Sequence, residues 1–208
     1  MLNVFARVHV NRVADPLARR LLALGVTPDA VTVAGTVGSV ASAVWFLPRD
    51  QLFVGTLLIW FFVMFDLVDG AMARARGHST PFGAVLDSAC DRAADGALFA
   101  ALAWWCLGVG QNRLLGVAAL VCLVSGQLVS YVKARAEGLG LSADGGLVER
   151  AERLILALVG TGLHGLGVPY ALDVALWLLA VGSLWTVGQR ILSVYRSAQA
   201  LPPAPPVP

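Results

Sequence analysis

The sequence predicts an all-α integral membrane protein with six transmembrane helices and an N-terminal interfacial amphipathic helix. The 208-residue chain is 58% hydrophobic, whereas globular domains contain about 45–50% apolar residues. Six stretches contain no Lys, Arg, Asp or Glu, namely 30–48, 51–65, 96–112, 114–132, 154–172 and 174–189. Since roughly 20 mostly apolar residues cross a bilayer, each stretch predicts one span. Helices of a soluble core would need polar outer faces, which these stretches lack.

The elements follow one another along the chain. An apolar stripe and four arginines predict an amphipathic helix over 3–24, broken near Pro16 and lying on the anionic inner leaflet. The predicted spans are 31–48, 52–75, 82–107, 113–137, 149–164 and 170–196. The chain therefore divides into an interfacial segment (1–26), a six-helix membrane domain (27–197) and a Pro-rich disordered tail (198–208).

The distribution of basic residues predicts the orientation. Lys and Arg are concentrated in the N-terminal segment, in the connection between spans 2 and 3, and in the connection between spans 4 and 5. The opposite side carries only Arg49 and Arg113. Because cytoplasmic loops are enriched in basic residues, both termini and these two connections are expected in the cytoplasm. The net charge of +2 is too small to indicate a nucleic-acid partner.

Four aspartates lie within or beside two neighbouring spans. Asp66 and Asp69 are three residues apart on span 2, and Asp87 and Asp91 are four apart on span 3, so each pair shares a helix face. The short connection makes the two spans antiparallel neighbours, which brings the carboxylates together. Such buried acids are costly unless they are paired or bind metal. Hard oxygen ligands without soft donors favour Mg²⁺, with Mn²⁺ as a substitute. Two ions would suit phosphoryl chemistry.

Other interpretations of the aspartates are weaker. Ion pairs with Arg74, Arg76 and Arg92 are one, but three arginines cannot neutralise so many acids, and Arg92 is expected on another face of its helix. A cation transporter would also place acids within the membrane. Membrane prenyltransferases use acidic helices and Mg²⁺ as well, but their acidic motifs lie farther apart.

The acidic segments carry a family resemblance. Asp66-Leu-Val-Asp-Gly-Ala-Met-Ala-Arg74 is followed, after eight residues, by Gly83-Ala-Val-Leu-Asp-Ser-Ala-Cys-Asp91. This pattern resembles the complete signature of the CDP-alcohol phosphotransferase family. The resemblance implies that Asp66, Asp69 and Asp87 hold the metal ions, with Asp91 beside them. It also implies that Asp91 is the catalytic general base, which takes the proton of the acceptor hydroxyl.

The resemblance also implies a nucleotide-lipid site. Gly70, Ala73 and Arg74 would line the cytidine-diphosphate site. Thr27-Pro-Asp-Ala-Val-Thr32 resembles the family's amino-terminal element, in which Asp29 and Thr32 help to hold the nucleotide. Helix capping by Asp29 remains an alternative. The donor would be CDP-diacylglycerol, taken from the surrounding membrane lipids.

The acceptor is indicated by cations near the later spans. Arg153 and Arg190 are bordered by long apolar runs and are costly unless they face a polar cavity. Several converging cations suit a phosphate-bearing acceptor, although interfacial snorkelling explains Arg135 and Arg150. Segments 130–137 and 149–154 resemble the actinobacterial members that use inositol phosphate, which implies that Lys133, Arg153 and Arg190 bind the acceptor phosphate. Glycerol 3-phosphate remains the alternative acceptor.

The resemblance further implies a homodimer in a bacterial cell membrane, with the active site facing the cytoplasm. Gly35, Gly38 and Ser39 on span 1 are candidate small-residue packing positions. The sequence does not indicate against what they pack.

Overall fold

The computed structural model describes residues 15–76 and 80–200, and helices make up the regular structure of these residues. Helix α1 is described over 15–23. It is followed by α2 (Pro28–Phe46), a 3₁₀ turn (Leu47–Arg49), α3 (Leu52–Val63), α4 (Phe65–Arg76), α5 (Pro81–Leu107), α6 (Arg113–Glu137), α7 (Arg150–Gly165) and α8 (Ala171–Gln199). The all-α prediction is confirmed for the described residues.

Four helical segments of this part of the chain are long and apolar enough to cross a membrane: Pro28–Arg49, Leu52–Arg76, Arg113–Glu137 and Ala171–Gln199. Helices α5 and α7, predicted as the third and fifth spans, are not among them. Helix α5 is 27 residues long but carries several charged residues in its first half. Helix α7 has 16 residues, which corresponds to about 24 Å of rise. The chain is therefore a helical membrane protein, and its number of spans stays a prediction.

Both ends of the predicted organisation extend beyond the described residues. Residues 1–14, with Arg7, Arg12 and half of the predicted apolar stripe, lie outside them, as do residues 201–208 of the predicted tail. Pro16 lies in the first turn of the helix described over 15–23. Helix α8 continues to Gln199, so the helix extends past the residue at which the tail was expected to begin.

The second predicted span is not one continuous α-helix, because it is interrupted at Met64. The Met64 amide donates to the Trp60 carbonyl at 3.2 Å, whereas the Leu67 amide donates to the Met64 carbonyl at 3.1 Å. The second bond spans three residues and tightens the turn locally. The predicted second span, 52–75, therefore corresponds to one segment long and apolar enough to cross a membrane, Leu52–Arg76, which consists of two consecutive helices, α3 and α4.

The chain forms two compact units, residues 1–101 and 102–208. In the first unit, glycines let α2 approach the α3–α4 segment closely. A Cβ placed on Gly35 would lie 2.7 Å from Phe65 Cβ, and one on Gly38 would overlap the Phe62 ring. These small residues therefore serve packing within the chain, as is common between membrane helices.

In the second unit, α8 packs against α6 and α7. A Cβ on Gly160 of α7 would lie 3.2 Å from the Ala171 carbonyl of α8, so this contact also depends on a small residue. Asn112 caps α6 by accepting a hydrogen bond from the Leu115 amide at 3.0 Å, and its amide group donates to Asp173 at 3.4 Å.

Candidate functional site

Three aspartates from two helices form a carboxylate trio. Asp66 and Asp69 of α4 and Asp87 of α5 each offer one oxygen, and these oxygens lie within 4.8 Å of one another. Asp69 is only 7% exposed and accepts a hydrogen bond from Thr32 of α2. Because three like charges at this separation repel, the arrangement favours a bound cation. Hard carboxylate oxygens fit a divalent ion such as Mg²⁺ or Mn²⁺.

The trio lines a cavity of about 340 Å³ in the first unit. Residues from α2, α4, α5 and the turn before α5 form its walls, namely Pro28, Asp29, Thr32, Asp66, Asp69, Gly70, Ala73, Arg76, Thr80, Gly83, Ala84 and Asp87. The cavity therefore adjoins the carboxylate oxygens and has room for a ligand beside them.

Two helix N-termini meet at this cavity. Thr27 caps α2 by accepting a hydrogen bond from the Ala30 amide at 3.2 Å, and Thr80 caps α5 through the Gly83 amide at 2.9 Å. In both cases a proline follows the threonine, which suits the first helical position. Because helix N-termini carry partial positive charge, this end of the cavity favours an anionic group.

The N-cap of α2 also decides whether Asp29 caps the helix. Since Thr27 caps the helix, the alternative that Asp29 serves as the cap is wrong. Asp29 instead lies in the first turn and lines the cavity. A Cβ on Gly83 would lie 3.2 Å from Asp29 Oδ1, so glycine is the residue that lets α5 begin this close to α2.

The two arginines at the end of α4 lie beside different cavities. Arg76 lines the cavity that holds the trio. Arg74 lines a second cavity of about 230 Å³, together with Asp15, Arg19, Ala71 and Ala75. The Arg74 side chain still reaches back toward the first cavity, since its Nη1 would lie 3.5 Å from a Cβ on Gly70. The sequence patterns missed Arg76 and Thr80 as candidate site residues.

Asp91 lies one turn after Asp87 on α5 and is not part of the trio. Its carboxylate lies 3.8 Å from Nη2 of Arg92, and the same nitrogen lies 3.8 Å from Asp95. The expectation that Arg92 points away from the aspartates is therefore wrong for Asp91. Asp95, which is 5% exposed, is a second partner of Arg92 that the sequence patterns did not single out.

Comparison with known proteins decides the family. Residues 25–188 match the family model of the CDP-alcohol phosphatidyltransferases. The chain belongs to this family.

Relatives within the family are closely similar over nearly their whole length. A phosphatidylinositol phosphate synthase of Mycobacterium marinum is 53% identical, with 97% of this chain and 89% of the relative covered. The crystal structure of the Mycobacterium tuberculosis phosphatidylinositol phosphate synthase with CDP-DAG bound superposes with a TM-score of 0.89 at 50% identity, covering 93% of this chain and 99% of that one. The same enzyme in complex with manganese and citrate gives a TM-score of 0.88 at 50% identity, covering 92% and 93%.

As a CDP-alcohol phosphatidyltransferase, the chain is a metal-dependent membrane enzyme. Among the described residues, the carboxylate trio offers the oxygen ligands that a divalent metal ion needs. The sequence resemblance to the family is confirmed.

The cations expected to bind the acceptor lie in the second unit, around residues 126–133 of α6. Arg153 of α7 is buried, with 1% exposure, and its Cζ lies 3.0 Å from the position of a Cβ on Gly126. Arg190 of α8 is 4% exposed and donates from Nη1 to the Val129 carbonyl at 2.7 Å. Lys133 lies one turn further along α6, exposed and 4.0 Å from Glu137.

The three cations therefore differ in how strongly the protein already engages them. Arg190 also donates to the Gly145 carbonyl at 3.2 Å and to Glu149 at 3.2 Å, so three of its N–H groups hold other parts of the chain. Lys133 is exposed beside Glu137, whereas Arg153 is buried next to Gly126 of α6.

Proposed function

We propose that the chain transfers the phosphatidyl group of CDP-diacylglycerol to myo-inositol 3-phosphate and releases CMP. The observation that carries the proposal is the carboxylate trio beside an anion-favouring cavity, in a chain about half identical to named phosphatidylinositol phosphate synthases. The product would be phosphatidylinositol phosphate, so the enzyme would act in phospholipid biosynthesis.

The donor would be held in the first unit. Asp66, Asp69 and Asp87, with Asp91 nearby, would hold two Mg²⁺ ions, which Mn²⁺ could replace. When bound, the metal offsets the charge of the diphosphate and of the leaving group. Asp29, Thr32, Gly70, Ala73 and Arg74 would contact the nucleotide part of the donor. Four of these five residues line the cavity, and we add Arg76 to the set.

Asp91 would act as the general base. The acceptor hydroxyl oxygen forms a bond to the phosphorus that carries diacylglycerol, and the bond from that phosphorus to the oxygen of CMP breaks. The hydroxyl proton passes to the Asp91 carboxylate, because an alcohol is a poor nucleophile until it is deprotonated. Asp91→Asn is therefore expected to abolish turnover while donor binding is retained.

Lys133, Arg153 and Arg190 would bind the phosphate of the acceptor. A buried arginine is costly in a membrane protein unless it meets an anion or a polar cavity, and both arginines are nearly fully buried. Arg can also bind phosphate through two parallel hydrogen bonds. A neutral acceptor such as free inositol would offer no anionic group for these cations to bind.

The remaining parts of the proposal concern the whole protein. We place it in a bacterial cell membrane, with six spans, an interfacial segment over 1–26, a membrane domain over 27–197 and a Pro-rich tail over 198–208. Helices α5 and α7 would supply the two spans whose charge or length departs from the usual pattern. The active site would face the cytoplasm, where the nucleotide product is released. The protein would act as a homodimer.

The deciding experiment measures CMP release by the purified protein in lipid nanodiscs containing CDP-diacylglycerol. Inositol 3-phosphate, glycerol 3-phosphate and inositol are offered separately, each with and without Mg²⁺. We expect turnover with inositol phosphate that requires Mg²⁺, and a raised KM for it in Lys133→Ala and Arg153→Ala. Preference for glycerol 3-phosphate would instead indicate a phosphatidylglycerol phosphate synthase. Ion flux without any nucleotide requirement would indicate a cation transporter.

A further inference from the structure

Residues 138–149, which connect α6 to α7, lie along α8 and are held there by its side chains. The Ser142 amide donates to Ser197 Oγ at 3.0 Å, and the Leu147 amide donates to Gln189 Oε1 at 3.1 Å. The Val148 amide donates to Thr186 Oγ1 at 3.0 Å. An irregular segment whose amides bond to the side chains of one helix is seated on that helix rather than only tethered at its two ends.

Thr186 is the most deeply buried of these partners. It has 0% exposure, accepts from the Val148 amide and donates to the Gly182 carbonyl of its own helix at 2.9 Å. The connecting segment and α8 pack tightly against each other here, as two glycines show. A Cβ on Gly146 would lie 2.8 Å from Thr186 Cγ2, and a Cβ on Gly182 would lie 2.7 Å from Val148 Cγ2.

The same face of α8 carries Arg190, one turn after Thr186. Arg190 donates from Nε to the Gly145 carbonyl and from Nη2 to Glu149, so both ends of the seated stretch Gly145–Glu149 contact this one guanidinium. Glu149 directly precedes α7, whose first turn contains Arg153. The placement of the segment therefore affects the positions of both buried arginines, Arg190 and Arg153.

We infer that Thr186 is a positioning residue for the acceptor phosphate site. By seating residues 138–149 on α8, it fixes the Arg190 guanidinium and the start of α7, and with it Arg153. The inference rests on the proposed function, in which these two arginines bind the acceptor phosphate. Thr186 itself touches no substrate.

The test is the isosteric change Thr186→Val, which removes the hydroxyl that Val148 uses and keeps the side-chain shape. The segment then loses a buried hydrogen bond and shifts. Since a misplacement of about 1 Å can cost 10²-fold, the KM for inositol phosphate is expected to rise roughly 10- to 100-fold. The KM for CDP-diacylglycerol should stay within about twofold of wild type, because the change is specific to the acceptor arginines. Thr186→Ser, which keeps the hydroxyl, should restore the acceptor KM.

Thr161 provides a matched control. It is also fully buried, but its hydroxyl donates to the Ala157 carbonyl of its own helix at 2.7 Å. Thr161→Val should therefore leave the acceptor KM unchanged. A general packing effect would instead change Thr161→Val and Thr186→Val alike, or would raise both substrates' KM values together, and either result overturns the inference.

A second variant tests the same idea if Thr186→Val does not fold. Gln189 is exposed, so Gln189→Ala should fold normally while removing the acceptor of the Leu147 amide. One lost hydrogen bond of this kind should raise the inositol phosphate KM by roughly threefold. An unchanged KM in this variant would overturn the inference. Absence of inositol-phosphate turnover in the wild-type protein would instead refute the proposed function itself.

Discussion

Gly126→Ala offers a sharp test of the acceptor site, because Gly126 provides the space that the Arg153 guanidinium occupies. A Cβ at this position would lie 3.0 Å from Cζ, 3.1 Å from Nε and 3.2 Å from Nη1 of Arg153. Non-bonded heavy atoms normally sit about 3.5–4.0 Å apart. The guanidinium plane would therefore have to withdraw from α6 by a few tenths of an ångström.

The size of the effect follows from that displacement. A shift of about 1 Å in a binding group can cost about 10²-fold, so for a shift of a few tenths of an ångström we expect kcat/KM for inositol phosphate to fall roughly 3- to 10-fold. This loss corresponds to about 0.7–1.4 kcal/mol of transition-state stabilisation. Folding should survive, because overpacking costs about 1–3 kcal/mol while replacing glycine by alanine in a helix returns about 1 kcal/mol.

The assay measures initial rates of CMP release in nanodiscs with Mg²⁺, at saturating CDP-diacylglycerol and varied inositol phosphate. Gly188→Ala is the control, because a Cβ there meets nothing within 4 Å and gains the same helix propensity. The reasoning is refuted if Gly126→Ala keeps the wild-type kcat/KM for inositol phosphate, or if it weakens both substrates equally.

Three further predictions concern the first unit. Asp66→Asn should lower turnover by at least about 10²-fold at saturating Mg²⁺, yet raise the unfolding temperature of the chelator-treated protein, because one of three repelling charges is gone; an unchanged rate would contradict the assigned metal site. Arg76→Ala should raise the KM for CDP-diacylglycerol roughly tenfold without changing the KM for inositol phosphate. If neither KM changed, Arg76 would have no role in donor binding. Gly38→Ala should destabilise the protein by about 1–3 kcal/mol in thermal unfolding, and a simultaneous Phe62→Leu change should recover part of the loss; full wild-type stability of Gly38→Ala would show that the Phe62 contact is not tight.

Charge and hydropathy predicted most helix positions closely. The fourth predicted span, 113–137, coincides with α6 (Arg113–Glu137), because Asn112 caps its N-terminus and Gly138 caps its C-terminus. The interruption at Met64 could not be predicted, because the apolar run from 56 to 65 contains no glycine or proline. The irregularity reflects packing, since α2 contacts this stretch closely at Phe62 and Phe65.

The carboxylate trio was predictable because helical periodicity places each aspartate pair on one face. Which of the two arginines at the end of α4 lines the cavity was not predictable. Counted from Asp66 at 100° per residue, Arg74 and Arg76 both lie about 80° from it, on opposite flanks of the helix. Periodicity therefore cannot select between them, and only the position of the neighbouring helices decides that Arg76 lines the cavity.

Arg190 illustrates a second limit of sequence reasoning. Its apolar surroundings in the sequence indicated a buried cation, and it is buried. Its contacts to Val129 and Gly145 are with backbone carbonyls. Every residue type has a backbone carbonyl, so no pattern of side chains in the sequence predicts such a partner.

The trio and its cavity are built from residues 28–87, whereas the buried arginines belong to residues 153–190. Under the proposed function, the donor chemistry and the choice of acceptor would thus be encoded by successive halves of the chain. Selection for a new acceptor can act on the later half while the earlier half is inherited intact. Diversification of such enzymes would then require no new phosphoryl-transfer site, and chimeras joined after Ala101, in the last third of α5, become a rational route to altered lipid headgroups.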